Sequence, residues 1–212
     1  MKQTPAHDRH NDALYSLIPK DSKHIVEIGC STGALAKVWK RAYPNCNYVG
    51  VEIDPDYAKA ARRYCDLVIE RDVEAHPPRF HPDVWILGDV LEHLKDPWAF
   101  VQHLHGHGGA VVASIPNVQH WTVQGNLACG SFEYQDEGIL DRTHLRWFTK
   151  QSLAGLFEGY RIEAMLGTLA PEAPPKPILD AIRTIAVYAG ADPEAACASC
   201  IPVQYVLRAV PV

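Results

Sequence analysis

The chain has 212 residues, of which 47% are hydrophobic and 21% are charged, and this predicts one globular domain with a sizeable core. A formal net charge of −5 and the lack of a Lys/Arg run argue against a nucleic-acid partner, and no apolar run is long enough for a membrane span. The polar start has no signal-peptide core, and six scattered cysteines indicate reduced thiols in a cytoplasmic protein.

In chain order, apolar runs alternate with helical patterns, which predicts a mainly parallel sheet with helices on both faces. The expected strands cover 24–28, 48–52, 67–69, 84–87 and 110–114. The expected helices of this part cover 8–17, 34–43, 56–64 and 97–105.

The first strand stops at a glycine turn, residues 29–33, and continues into a helix. Gly29 and Gly33 leave the backbone open to a ligand, and Glu27 lies near the strand end. The second strand, about twenty residues on, ends at the acid Glu52. A glycine turn followed by such an acid is how an α/β sheet holds a nucleoside, with the acid binding the ribose hydroxyls.

Two other interpretations of this turn are weaker. Gly29-Cys-Ser-Thr-Gly33 fits the nucleophile elbow of α/β hydrolases, with Ser31 as nucleophile. That elbow needs an oxyanion loop from an earlier strand, yet only 23 residues precede this one, and Glu52 would have no role. The dinucleotide fingerprint G-x-G-x-x-G fails because residue 31 is Ser and residue 34 is Ala.

Two further strand ends carry acids. Asp72 follows the third strand, where it would accept the exocyclic amine of adenine while the Val73 backbone contacts the ring. The alternative for Asp72 is a solvated turn. The fourth strand runs into Gly88 and Asp89, followed by Glu92 and His93, at the sheet edge where open α/β sheets bind ligands. The alternative for His93 is a residue packed beneath the site.

Beyond the fifth strand, which ends at Pro116, residues 117–148 have no clean period and are interpreted as an insertion over the strand ends. Thr149 is a candidate N-cap for a helix over 150–158. The remaining expected elements are strands over 160–169 and 203–210, a proline-rich linker over 171–177 and a helix over 178–189. The three histidines of His103-Leu-His-Gly-His107 cannot easily converge across a helix end, so no metal site is expected.

These segments resemble class I S-adenosylmethionine-dependent methyltransferases over roughly residues 20–170. The resemblance lies in Val26-Glu-Ile-Gly-Cys-Ser-Thr-Gly33, in Val49-Gly-Val-Glu-Ile-Asp54, in Asp72 and in Gly88-Asp-Val-Leu-Glu-His-Leu94. Ser114-Ile-Pro-Asn-Val-Gln-His-Trp121 is similar to the MetW-type branch, and Asp141-Arg-Thr-His-Leu-Arg-Trp-Phe-Thr149 to bacterial relatives that accompany glycosyltransferases.

The resemblance implies a Rossmann-like doubly wound seven-stranded α/β sheet whose last strand is antiparallel, within a single domain with a cofactor-binding core over 20–116. It implies S-adenosylmethionine as methyl donor and S-adenosylhomocysteine as product. The cofactor-binding residues it implies are Glu27, Gly29, Cys30, Ser31, Gly33, Glu52, Ile53, Asp72, Val73, Gly88, Asp89 and His93.

The acceptor is expected to be a small molecule, such as a sugar, a glycoconjugate precursor or a secondary metabolite, that binds at the insertion and is methylated on a hydroxyl oxygen. The substrate-side candidates are Asn117, His120, Trp121, Asp141, Arg142 and His144. His144, His120 and His93 are the candidate bases, and His144 is favoured because Asp141 and Arg142 adjoin it. The alternatives are that Asp141-Arg-Thr-His144 is only a structural turn, and that the protein is a MetW-like partner of another enzyme. A homodimer is also compatible with the sequence.

Overall fold

Seven strands form one sheet in the computed structural model, which describes residues 9–212. The strands are β1 (His24–Ile28), β2 (Asn47–Glu52), β3 (Leu67–Glu70), β4 (Val84–Gly88), β5 (Ala110–Pro116), β6 (Tyr160–Leu169) and β7 (Pro202–Pro211). The helices are α1 (Asp12–Leu17), α2 (Ala34–Ala42), α3 (Pro55–Ala61), α4 (Pro97–His105), α5 (Trp121–Ala128), α6 (Lys150–Leu156), α7 (Lys176–Tyr188) and α8 (Pro193–Ser199). A single 3₁₀ turn covers Leu91–His93.

The strand order across the sheet is β3-β2-β1-β4-β5-β7-β6. The first five strands are parallel, and β7 pairs antiparallel with both β5 and β6. The chain runs outward from β1 in one direction through β2 and β3, and then in the other through β4 and β5. The crevice at such a reversal, outside the carboxyl ends of β1 and β4, is where open α/β sheets bind ligands.

Strand alternation divides the core between the two faces of the sheet. Trp85 and Leu87 of β4 belong to one buried cluster, whereas Val84 and Ile86 of the same strand belong to the other. Because both faces are covered, the central strands are apolar at almost every position.

The predicted mainly parallel sheet with an antiparallel last strand is confirmed, and every predicted strand is present within two residues of its expected ends. The first helix begins at Asp12 because Asn11 caps it; residue 8, its expected start, lies outside the described residues. Helix α3 is shorter than predicted and begins at Pro55, because the Asp54 side chain accepts the amides of the first turn. No helix within residues 9–212 is long and apolar enough to cross a membrane.

Two helices, α5 and α8, were not predicted. Only Val123 of α5 is buried, so this helix has no apolar stripe by which a sequence pattern would reveal it. Helix α8 carried a start signal, Asp192 followed by Pro193, but it is only seven residues long.

Thr149 is the N-cap of α6, as predicted, and its contribution to stability can be tested. The Thr149 hydroxyl accepts the Ser152 amide, and the Ser152 hydroxyl accepts the Thr149 amide, which completes a capping box. We expect Thr149→Ala to lower the free energy of unfolding by about 1 kcal/mol in urea denaturation. Gln151→Ala, an exposed change in the same helical turn, is the control; equal stability of the two variants would contradict the role of the cap.

Candidate functional site

Two residues with left-handed backbone mark the crevice between β1 and β4. Ser31 has φ 46° in the loop after β1, and Asp89 has φ 54° directly after β4. This conformation costs a residue with a side chain about 1–2 kcal/mol, and such strain is concentrated at functional sites. The strained pair therefore points to the same crevice as the strand order does.

The glycines of the β1 turn are required by the backbone and by close packing. Gly29 has φ 68°, and a Cβ there would lie 2.7 Å from Val90 Cγ2. Gly33 has φ 82°, and a Cβ there would lie 3.1 Å from Ala61 Cα. Cys30, between them, is buried. The glycines thus let the turn pack against the segment that follows β4 and against the end of α3. Their opening toward a ligand stays a prediction.

Glu52 ties the ends of β1 and β2 together. Its Oε2 accepts the Ser31 amide at 2.7 Å, and its Oε1 accepts the amides of Ile53 and Asp54 at 2.8 and 2.9 Å. The carboxylate is only 4% exposed, whereas Ile53 beside it is 52% exposed. A carboxylate has about four acceptor positions, so three amide bonds leave room for a further donor.

Glu27 and Asp72 are both engaged by the protein itself. Glu27 is buried and accepts the Tyr48 hydroxyl at 2.8 Å, and burial raises the pKa of its carboxyl. Asp72 is exposed, and its Oδ1 accepts the amides of Glu74 and Ala75 in a local turn. In this structure Asp72 is thus an exposed turn residue, which was the alternative to its adenine-binding role. A contact between Asp72 and adenine stays a prediction. Val73 is buried in the core.

Asp89, which follows Gly88 at the end of β4, is held from two neighbouring strands. Its Oδ1 accepts the Ser114 hydroxyl at 3.2 Å and the Gln204 amide at 2.6 Å. Its backbone amide donates to the carbonyl of Ser114. These bonds fix the strained residue at the edge of the crevice.

The insertion after β5 docks onto the segment that follows β4. The backbone carbonyl of Glu92 accepts the amides of Leu145 and Arg146 at 2.8 and 3.0 Å. These bonds bring the predicted substrate-side segment to the carboxyl edge of the sheet.

Asp141 organises this docking. Its Oδ1 accepts the amide and the hydroxyl of Thr143 at 2.7 and 2.6 Å. The Thr143 carbonyl and hydroxyl each lie 3.2 Å from His93 Nδ1. Asp141 is therefore a turn residue, as the alternative interpretation held, and through Thr143 the turn positions His93.

Glu92, His93 and His144 meet beneath the insertion. Glu92 is 1% exposed, and neither carboxyl oxygen has a hydrogen-bond partner. His144 is 6% exposed; its Nε2 lies 3.9 Å from Glu92 Oε1, and its ring lies edge-on to that of His93, 4.8 Å between centroids. Burial raises the pKa of Glu92 and lowers that of His144. The sequence placed Glu92 beside His93 at the ligand-binding edge of the sheet but gave it no individual role.

A cleft of about 500 Å³ opens above this group. It is lined by Tyr134, Arg142, His144, Leu145 and Trp147. The Arg142 side chain is 62% exposed and pairs with Asp136 at 2.8 Å. An aromatic and cationic cleft with a buried imidazole in its wall is suited to a small polar molecule.

The other substrate-side candidates contact the C-terminal part of the chain. Asn117 is fully buried and donates to the carbonyls of Ser199 and Pro202, and Trp121 packs against the α7–α8 cluster. His120 caps α5; burial lowers its pKa, and its Nε2 is buried without a partner. Of the six candidates, the structure thus brings Arg142 and His144 to the cleft.

Comparisons with known proteins find a matching domain and a shared fold. Residues 26–108 match the family model of a methyltransferase domain. A SAM-dependent methyltransferase from Archaeoglobus fulgidus is 18% identical, with TM-score 0.60 over 94% of this chain and 91% of that one. One from Mesorhizobium loti is 16% identical, with TM-score 0.58 over 94% and 96%. The plantazolicin methyltransferase BamL, solved with a triazolic desmethylPZN analog and SAH, is 12% identical, with TM-score 0.58 over 94% and 81%. No curated protein matches the sequence.

The seven-stranded sheet is thus the Rossmann-like fold of these methyltransferases. The matched residues include the glycine turn, Glu52 and the end of β4, which are the parts that surround the crevice. Residues 26–108 thus match a methyltransferase domain, and the whole sheet shares the fold of S-adenosylmethionine-dependent methyltransferases.

Proposed function

We propose that the chain transfers the methyl group of S-adenosylmethionine to a hydroxyl of a small molecule and releases S-adenosylhomocysteine. One observation carries the proposal: a buried carboxylate, Glu52, joins the loops after β1 and β2 beside the crevice, inside the segment that matches a methyltransferase domain. An acid there is suited to ribose hydroxyls, because a charge-assisted hydrogen bond is strong where water is excluded.

In this proposal, residues 20–116 hold the donor. Glu52 accepts from the ribose, the exposed Ile53 covers one face of the adenine, and Asp72 with the Val73 backbone binds its edge. The β1 turn, with Gly29, Cys30, Ser31 and Gly33, surrounds the methionine part above Glu27. Gly88, Asp89 and His93 border the reacting sulfonium from the β4 side.

Residues 117–148 form the acceptor side, and residues 149–212 support them. The cleft beside Tyr134 and Trp147 receives the acceptor, and Arg142 favours an acidic one such as a sugar acid or a phosphorylated sugar. Methyl transfer is a single displacement: the acceptor oxygen bonds to the methyl carbon, the S–C electron pair returns to sulfur, and the hydroxyl proton leaves. His144 lines the cleft where that proton must be removed.

The cysteines support a reducing compartment such as the cytoplasm. All six are free, and five of them are buried. Such a set of unpaired thiols is typical of cytoplasmic proteins.

Calorimetry with the two nucleosides tests the donor assignment. We expect both S-adenosylmethionine and S-adenosylhomocysteine to bind one site per chain, and adenosine alone to bind more weakly because it lacks the methionine part. Absence of binding by either nucleoside would refute the proposal. Methyl transfer is then measured with labelled donor on a panel of sugars, sugar phosphates and phenols. Tight binding without any methylated acceptor would favour the MetW-like partner protein instead, and copurification would identify that partner.

A further inference from the structure

The buried carboxyl of Glu92 has no partner that explains its burial. The residue is only 1% exposed, and both carboxyl oxygens are inaccessible and lack a hydrogen-bond partner. A buried carboxyl is costly unless it is paired, hydrogen-bonded or bound to a metal ion. An orphaned pair of carboxyl oxygens therefore points to a missing group.

Two imidazoles complete a set of ligands around it. One ligand atom each from Glu92, His93 and His144 can be chosen so that all three lie within 4.8 Å of one another. Ligand bonds of about 2.1 Å place donor atoms about 3–4 Å apart, so side-chain shifts of roughly 1 Å would bring the three to one ion.

The outer nitrogen of each imidazole is already oriented. His144 Nδ1 lies 3.0 Å from the Ile139 carbonyl, and His93 Nδ1 lies 3.2 Å from the Thr143 carbonyl. A carbonyl only accepts, so each Nδ1 carries the proton and each Nε2 keeps its lone pair. Histidine ligands of metal ions are held in this way by their second nitrogen.

We propose that Glu92, His93 and His144 bind one divalent transition-metal ion, such as Mn²⁺, Co²⁺ or Zn²⁺. Two imidazoles and one carboxylate suit these ions and leave coordination positions open. This site departs from the expectation of no metal. It is distinct from the His103–His107 pattern, in which one ring nitrogen of each histidine bonds a backbone carbonyl.

The role of the ion rests on the proposed function. His144 lies in the cleft wall, so the proposed ion lies beside the proposed acceptor site. An acceptor hydroxyl that coordinated the ion would have a lowered pKa, and its proton would pass to water. The oxygen then takes the methyl carbon while the S–C electron pair returns to sulfur. The substrate class is thus narrowed to acceptors with a hydroxyl that can coordinate a metal ion.

Metal binding is measured without any nucleoside, so its failure is distinct from failure of the proposed function. The full chain is treated with EDTA and titrated with Mn²⁺, and free Mn²⁺ is counted by electron paramagnetic resonance. Mn²⁺ is chosen because it prefers oxygen and nitrogen ligands, so the free cysteines do not compete. We expect one Mn²⁺ per chain, and a loss of affinity of at least 100-fold in Glu92→Gln and His144→Gln.

Two more variants test the site: Thr143→Val tests how His93 is positioned, and His105→Gln is the control. Thr143→Val removes the hydroxyl that holds His93 and links it to Asp141, so we expect a 10–100-fold loss. His105→Gln changes a half-buried histidine at the end of α4 and is expected to leave Mn²⁺ affinity unchanged. No binding by the wild-type chain, or binding that survives Glu92→Gln and His144→Gln, would overturn the site.

A crystal of the wild-type chain soaked in Mn²⁺ avoids the risk that a variant fails to fold. We expect one anomalous-scattering peak at coordination distance from Glu92, His93 and His144. A peak elsewhere, or none, would overturn the proposal.

Discussion

Glu52→Ala should weaken S-adenosylhomocysteine binding by about 10–100-fold, measured by calorimetry. The proposed ribose contacts are hydrogen bonds to a charged group, each contributing about 1.5–3 kcal/mol. A loss of 1.4 kcal/mol corresponds to a tenfold change in affinity. The expected loss is large because the carboxylate is almost entirely buried, so water cannot take its place without disturbing the loops.

Glu70→Ala is the matched control for this change. Glu70 stands opposite Glu52 on the neighbouring strand β3, but its side chain is 48% exposed and lies 3.8 Å from Arg62. The control therefore makes the same Glu-to-Ala change on the neighbouring strand, at a half-exposed acid. We expect Glu70→Ala to bind the nucleoside as the wild type does. Equal affinity of the Glu52→Ala and Glu70→Ala chains would refute the ribose assignment.

A second measurement separates binding from loop stability. Glu52 accepts three backbone amides, so its removal leaves those donors without a partner and lowers stability as well. Glu52→Gln keeps the shape of the side chain but replaces one acceptor oxygen by an NH₂ group. We expect Glu52→Gln to retain more stability in urea than Glu52→Ala while still losing affinity, because a ribose hydroxyl loses its charged acceptor.

The strands were predictable from sequence because burial on both faces makes each one a short apolar run between turn residues. Strand β1 is the clearest case, since Ile25, Val26 and Ile28 are all buried and Gly29 ends the run. Helix α4 has its predicted ends, with Asp96 as its N-cap, Pro97 as its first residue and three glycines directly after it, at 106, 108 and 109. In these segments the residues that set the local structure are also the ones that are buried or that cap the element.

The cluster at Glu92 was not predictable in the same way. His93 and His144 are 51 positions apart in the chain and meet only because the Glu92 carbonyl receives the amides of Leu145 and Arg146. No local pattern encodes that contact. The sequence did single out both histidines and placed Glu92 at the same edge, but it did not show that the Glu92 carboxyl is buried without a partner.

His144→Gln should lower the rate of methyl transfer by about 10²–10⁴-fold while leaving S-adenosylhomocysteine affinity unchanged. That range is the typical contribution of a group that assists removal of a proton in the transition state. His144 lines the acceptor cleft, and its Nδ1 donates to the Ile139 carbonyl within the insertion, so this substitution changes the acceptor side. Rates are measured with labelled donor and the best acceptor from the panel.

His105→Gln is the matched control for the rate as well. His105 bonds the Gly159 carbonyl through its Nε2, much as His144 bonds the Ile139 carbonyl through Nδ1, but it lies at the end of α4 away from the cleft. Loss of one imidazole-to-carbonyl bond is thus common to both variants. If His105→Gln slowed methyl transfer as much as His144→Gln, the effect would come from structure and not from the cleft.

The same variant distinguishes two chemical roles for His144. If His144 acts alone as a base, His144→Gln should slow methyl transfer, whereas variants of Glu92 and His93 should keep most of the wild-type rate. As a ligand of a shared ion, it forms a unit with Glu92 and His93, and effects within a unit are not additive. The double variant Glu92→Gln/His144→Gln should then be no slower than either single variant. Rate losses that multiply in the double variant would contradict the shared ion and favour the lone base.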